Sequence, residues 1–230
     1  MKKIYILWPY SLILLGFVLM FTNPVSIYAS NPSNTVTDID GNVYHTITIG
    51  TQVWMVENLK TTKYSNGDSI PEIADGKKWS NLTTGAYCNY HNETKNSTTY
   101  GRLYNWYAVN DSRNIAPIGW HVPSDAEWTT LIIYLGGEDV TGGKLKEKGT
   151  THWQSPNTGA TNETGFTALP DGNRGNDGTF NYIGNYGFWW SSTGYYAHDA
   201  WYWYAYYNFS NVFRHFNNKV IGFSVRCIRD

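Results

Sequence analysis

Cys88 and Cys227 are the only thiols of this 230-residue chain, and its imidazoles are His45, His91, His121, His152, His198 and His215. Paired thiols can hold a soft metal or form a bridge, and histidines at i, i+4 on a helix can hold zinc. No two of these histidines have that spacing. His198 and His215 can meet only across a hairpin, with no third ligand and no carboxylate to orient them. His121, beside Trp120, reads as a packed, hydrogen-bonded ring. Ser191-Ser192 lacks the Gly-X-Ser-X-Gly frame of a nucleophile elbow, so Trp190-Ser191-Ser192 reads as a structural corner whose hydroxyls satisfy a turn. The stretch Asp171-Gly172-Asn173-Arg174-Gly175-Asn176-Asp177-Gly178 has oxygens enough for calcium, though turn chemistry accounts for the same residues. The turn Asp38-Ile39-Asp40-Gly41-Asn42 lacks the closing glutamate of a calcium loop and reads as a turn. No catalytic residue and no cofactor is expected, calcium at the 171–178 loop being the one open alternative.

What remains is non-covalent recognition, and its material lies near the end of the chain. Phe188, Trp189, Trp190, Tyr195, Tyr196, Trp201, Tyr202, Trp203, Tyr204, Tyr206, Tyr207, Phe209, Phe213 and Phe216 make up about half of residues 188–216. A strand sends alternate side chains to opposite faces, so one face cannot take all these rings. Trp201, Trp203 and Ala205 mix large and small, as an interdigitating core requires. Tyr202, Tyr204 and Tyr206 carry hydroxyls that tolerate a half-wet surface and are expected to face outward as an interaction patch. The alternative is a two-sided core with a helix or loop over each face.

His45–Ile49 and Gln52–Met55 form β-rich arms around Gly50-Thr51. Trp79 and Tyr87 anchor a polar, turn-rich segment from Tyr64 to Thr99. Leu103, Trp106 and Tyr107 have short helical spacing. Ser124 and Glu127 form a capping box ahead of Trp128, Leu131, Ile132 and Leu135, and Gly136-Gly137 ends that helix. Phe166–Leu169 predicts a short strand. Gly222–Arg229 predicts a closing one, with Phe223, Val225 and Cys227 on one face and Ser224 and Arg226 on the other.

A formal net charge of −1 argues against nucleic acid, which calls for a basic stripe. Few charges with many aromatics and glycines fit a β- or loop-rich extracellular domain. Residues 1–30 read as a signal peptide, with Lys2 and Lys3 ahead of an apolar run from Ile4 to Phe21 and cleavage after Ala29 or Ser30. Left uncleaved, that run is the one route to membrane attachment. The product is then secreted or held at the cell surface, with a loose linker at 31–37 ahead of a domain at 38–230. Export makes Cys88–Cys227 a candidate disulfide worth ~4–5 kcal/mol, with two separate buried thiols as the alternative.

Several motifs together resemble one family. Asp40-Gly41-Asn42-Val43-Tyr44, Gln52 to Leu59, Tyr100 to Trp106, Gly119 to Trp128, Trp190-Ser191-Ser192 and Ser224-Val225-Arg226-Cys227 are similar to the Fibrobacter succinogenes major paralogous domain. Pro123, Glu127 and Trp128, with Gly222, Phe223 and Arg226, resemble the C-type-lectin-like fold of formylglycine-generating enzymes. That likeness implies an α+β fold with a small twisted antiparallel sheet, two helices and extensive ordered loops. The two thiols are better used in a structural bridge than for the copper of that enzyme, so its activity is not carried over. The C-terminal stretch is similar to the variable region of retroelement-diversified proteins. This likeness implies ligand-binding positions at Tyr195, Tyr196, His198, Asp199, Tyr202, Tyr204, Tyr206, Asn208, Phe213, His215 and Phe216. The expected partner is an extracellular or cell-surface protein or glycan, with a structural surface protein as the alternative and a metal-dependent enzyme the remoter one.

Overall fold

The computed structural model describes Met1 and residues 34–230. Apart from Met1, the expected leader lies outside the described residues, as do residues 31–33 of the expected linker. In chain order, β1 (Thr35–Thr37), β2 (Val43–Ile49) and β3 (Gln52–Met55) come first, followed by α1 (Gly76–Trp79), β4 (Tyr87–Cys88), α2 (Thr94–Tyr100) and β5 (Leu103–Tyr104). Next are α3 (Trp106–Val109), β6 (Trp120–His121), α4 (Asp125–Tyr134) and α5 (Glu138–Leu145). The chain closes with β7 (Asn173–Arg174), β8 (Phe180–Asn181), β9 (Tyr186–Gly194), β10 (Asp199–Tyr206), β11 (Val212–Asn218) and β12 (Ile228–Arg229). Among the described residues this is a mixed α and β architecture with more sheet than helix, and α4 and α5 are the two longest helices there.

Two antiparallel sheets dominate. One has five strands in the order β1-β2-β3-β12-β6, and the other has three in the order β11-β10-β9. Strands β2 and β3 meet as the sequence predicts, with Gly50 at φ 61° in the turn. Strand β1 adds to the edge of β2, with Val36 opposite Tyr44, so the end of the segment read as a linker is structured. The turn at Asp38 is closed by its own carboxylate, which accepts from the Asp40 and Asn42 amides and from the Tyr44 hydroxyl at 2.6 Å.

The capping box forms as read: Ser124 Oγ accepts from the Glu127 amide and Glu127 Oε2 accepts from the Ser124 amide at 2.8 Å. Trp128, Leu131 and Ile132 turn inward from α4. They meet Trp54, Phe166, Trp189 and Trp203 in one buried cluster. A second cluster gathers Tyr44, Met55, Tyr104, Trp190, Phe223 and Val225 on the other side of the three-stranded sheet.

Three expected elements differ. Phe166–Leu169 forms no strand beyond a single bridge between Lys146 and Ala168. Leu103–Tyr104 is a strand, and the helical turn starts only at Trp106, where the Asn105 side chain caps it. The closing strand shrinks to β12. Gly222, Phe223 and Ser224 each bridge a different segment, at Arg174, Tyr104 and Trp189, and no one neighbour runs alongside long enough to extend the ladder.

Candidate binding surface

Register decides where the rings of the C-terminal sheet point. Cross-strand pairs Tyr202 with Trp190 and His215, Tyr204 with Phe188 and Phe213, and Tyr206 with Tyr186 put these residues on one face. Trp201 with Phe216 and Trp203 with Trp189 and Arg214 lie on the other. The second face is core where α4 covers it: Trp203 and Ala205 are buried, and Trp203 Nε1 and the Arg214 guanidinium both donate to the Asp125 carboxylate.

The tyrosine face is wet over only part of its length. Phe223, Phe188, Tyr186 and Tyr206 form a column of near-parallel rings, with centroid spacings of 4.9, 5.3 and 4.1 Å and interplanar angles of 17°, 9° and 11°. A second column runs from Phe223 to Tyr202, Tyr204 and Phe213. Both start at buried Phe223 and end on half-buried rings. Tyr202 is therefore core, 8 % exposed and sandwiched between Phe223 and Tyr204, which corrects its expected outward position. Burial pushes its phenol up to about 12, with Tyr204 adding to the shift. Tyr204 and Tyr206 stay half-buried, and burial raises the Tyr204 phenol as well.

Three rings outside the expected set complete this end of the sheet. Tyr182 is 54 % exposed and set edge-on to Tyr186 at 5.1 Å, and Phe209 is 46 % exposed against Tyr206 and Phe213. Tyr182 sits at φ 70°, a left-handed conformation that bulky residues rarely adopt. Tyr186 was within reach of sequence reading, since it lies two residues before Phe188 on the same alternation. Nothing in the sequence around Tyr182 announces its backbone.

The remaining expected positions are split between the two ends of the sheet. Tyr195, Tyr196 and His198 belong to the β9–β10 turn, Asp199 opens β10, and Asn208 belongs to the β10–β11 turn at the opposite end of that strand. At ~3.3 Å per residue the two turns stand about 23 Å apart, so the eleven positions do not form one patch. Around the first turn, Tyr195 packs on Phe216, Trp201 and Tyr196, and Arg214 lies 3.5 Å over Trp201.

The chain matches the Fibrobacter succinogenes major domain over residues 47–229, most of its length. It belongs to that family. No curated protein and no solved structure matches it.

In this Fibrobacter succinogenes major domain the expected disulfide is absent. Cys88 and Cys227 are free thiols in separate apolar clusters, Cys88 with Trp79 and Leu103 and Cys227 with Met55 and Val225. Burial pushes the Cys88 thiol up to about 12 and raises that of Cys227 still further. Among the described residues no three His, Cys, Asp or Glu side chains gather as a metal site. In the loop considered for calcium, Asp171 turns inward, accepting from the Phe188 amide and Asn58 Nδ2, while Asp177 stays outside and caps Thr179. His198 and His215 do not meet: His215 pairs with Tyr202, whereas the His198 carbonyl accepts from the Lys219 amide further along. His121 bridges two carboxylates, with Nδ1 2.6 Å from Asp230 and Nε2 2.8 Å from Glu127. Ser191 and Ser192 lie within β9 and not at a corner, and Ser191 Oγ accepts from the Thr193 amide.

Proposed function

We propose that this chain is an exported, non-catalytic binding module that presents the aromatic end of its C-terminal sheet to an extracellular or cell-surface ligand. The observation that carries this reading is the wet end of the ring columns. Tyr186, Tyr204, Tyr206 and Phe213 remain half-buried, and Tyr182 and Phe209 are exposed beside them, after Phe223, Phe188 and Tyr202 have filled the core. A contiguous aromatic patch of this kind on one chain marks an interaction site. Tyrosine serves such a site well, giving large contact area with few rotatable bonds and a hydroxyl for hydrogen bonding. A C-type-lectin-like architecture fits the capped helix at Ser124 and the buried ending at Phe223 and Arg226. Retroelement-type diversification fits the display of Asn208 beside half-buried Tyr206 and Phe213.

The test is the pair Tyr204→Ser with Tyr206→Ser, assayed on glycan and protein arrays beside the parent chain. Saturable capture by the parent and its loss in a variant that still melts cooperatively supports the reading. Absence of any saturable signal from the parent supports a purely structural surface protein.

A further inference from the structure

The turn between β10 and β11 is gripped by its backbone. Lys146, just beyond α5, is fully buried, and its ammonium donates to the carbonyls of Phe209 at 2.8 Å, Thr158 at 3.0 Å and Tyr206 at 3.2 Å. Three carbonyls use all three ammonium hydrogens. An apolar side chain would fill the same space without the cost of burying a charge, so what lysine adds is the three donors. Burial pulls its pKa down to about 8.

The surroundings repeat the pattern. A side chain at Gly142 would overlap the Asn211 carbonyl, and one at Gly159 would overlap Ser210 Oγ. These close approaches let the Gly143 amide donate to Ser210 O and the Thr158 amide to Tyr207 O, both at 2.8 Å. The Tyr207 amide donates to Asn185 O at 2.9 Å. On the side of the turn these bonds use only main-chain atoms of residues 206–210, while the side chains of Asn208 and Phe209 are exposed.

We propose that Lys146 is a positioning residue for this tip. It fixes the backbone on either side of Asn208, at Tyr206 and Phe209, so that the side chains at 208 and 209 can set ligand specificity without moving the chain that carries them. The specificity part rests on the binding reading above; the backbone part does not.

Hydrogen exchange on the full chain separates the two. In Lys146→Met the amides of Thr158, Tyr207 and Phe209 should exchange about tenfold faster or more, while those of Tyr202 and Trp203 keep the parent rate. In Asn208→Ala/Phe209→Ala the same tip amides should stay within about twofold of the parent. Lys146→Gln, with two donors and a shorter reach, should fall between, and it serves as the reading if the Met variant does not fold. Unchanged tip exchange in the lysine variants overturns the proposal. So does equal loosening in the double alanine variant, or a parallel rise at Tyr202 and Trp203. Failure of ligand capture in the arrays would leave this result standing and remove only the specificity role.

Discussion

Cys88 and Cys227 show how an export reading can mislead at the scale of one residue. An oxidising route permits a bridge, yet each sulfur lies in its own apolar cluster and is held as the neutral thiol by burial. Native protein should leave both thiols unreacted with a thiol reagent over the time in which denatured protein titrates two, and reductant should not shift the melting temperature. His121 makes the opposite kind of site. Burial works against its proton, but Asp230 and Glu127 outweigh it and raise the pKa above the ordinary 6.5. A raised histidine pKa gives stability that is complete below the unfolded value and is lost as pH rises through the folded one. Neutral imidazole has one N–H for two carboxylates, so one contact must weaken. Parent protein should therefore lose melting temperature from about pH 6.5 upward, and His121→Gln should flatten that slope.

At the scale of the element, β10 carries two rows of rings with different work. The row of Trp203 and Ala205 seals against α4, and the tyrosine row grades from core to solvent along its length. The gradation makes a sharp prediction within a single strand. Tyr202→Ser should cost about 3 kcal/mol or more, because it empties the space between Phe223 and Tyr204. Tyr206→Ser, at the wet end, should cost under about 1 kcal/mol. Equal losses in urea melts of the two variants would show the face to be uniformly buried. Ring-on-ring stacking explains why the surplus of aromatics leaves a smaller wet patch than alternation alone implies: each ring shields the next.

Across the whole molecule, one buried side chain joins segments far apart in the chain. Asn58 Oδ1 accepts from Trp189 Nε1 and from the Arg226 guanidinium, while its Nδ2 donates to Asp171 and to the Tyr100 carbonyl. Arg226 also donates to the Phe166 carbonyl and lies 4.1 Å over the Phe166 ring. Burial drives Asp171 up to about 8 and Arg226 down to about 9, so neither charge is easily kept without its hydrogen-bond partners. Asn58→Ala should cost about 3 kcal/mol or more, seen as a large drop in the urea midpoint with the slope unchanged. Beyond the family motifs, what the chain alone made legible follows local rules: the β2–β3 hairpin from its glycine turn and α4 from Ser124 and Glu127. Each of these depends on residues a few positions apart, whose φ/ψ and side-chain directions are set by near neighbours. It took the packed fold to separate Cys88 and Cys227 into different clusters, to make Tyr202 core while Tyr206 is wet, and to bring Lys146 to the distant turn at 206–209. Those outcomes depend on which segments meet across the fold, and burial at one position is fixed by atoms whose place in the chain carries no trace of the encounter.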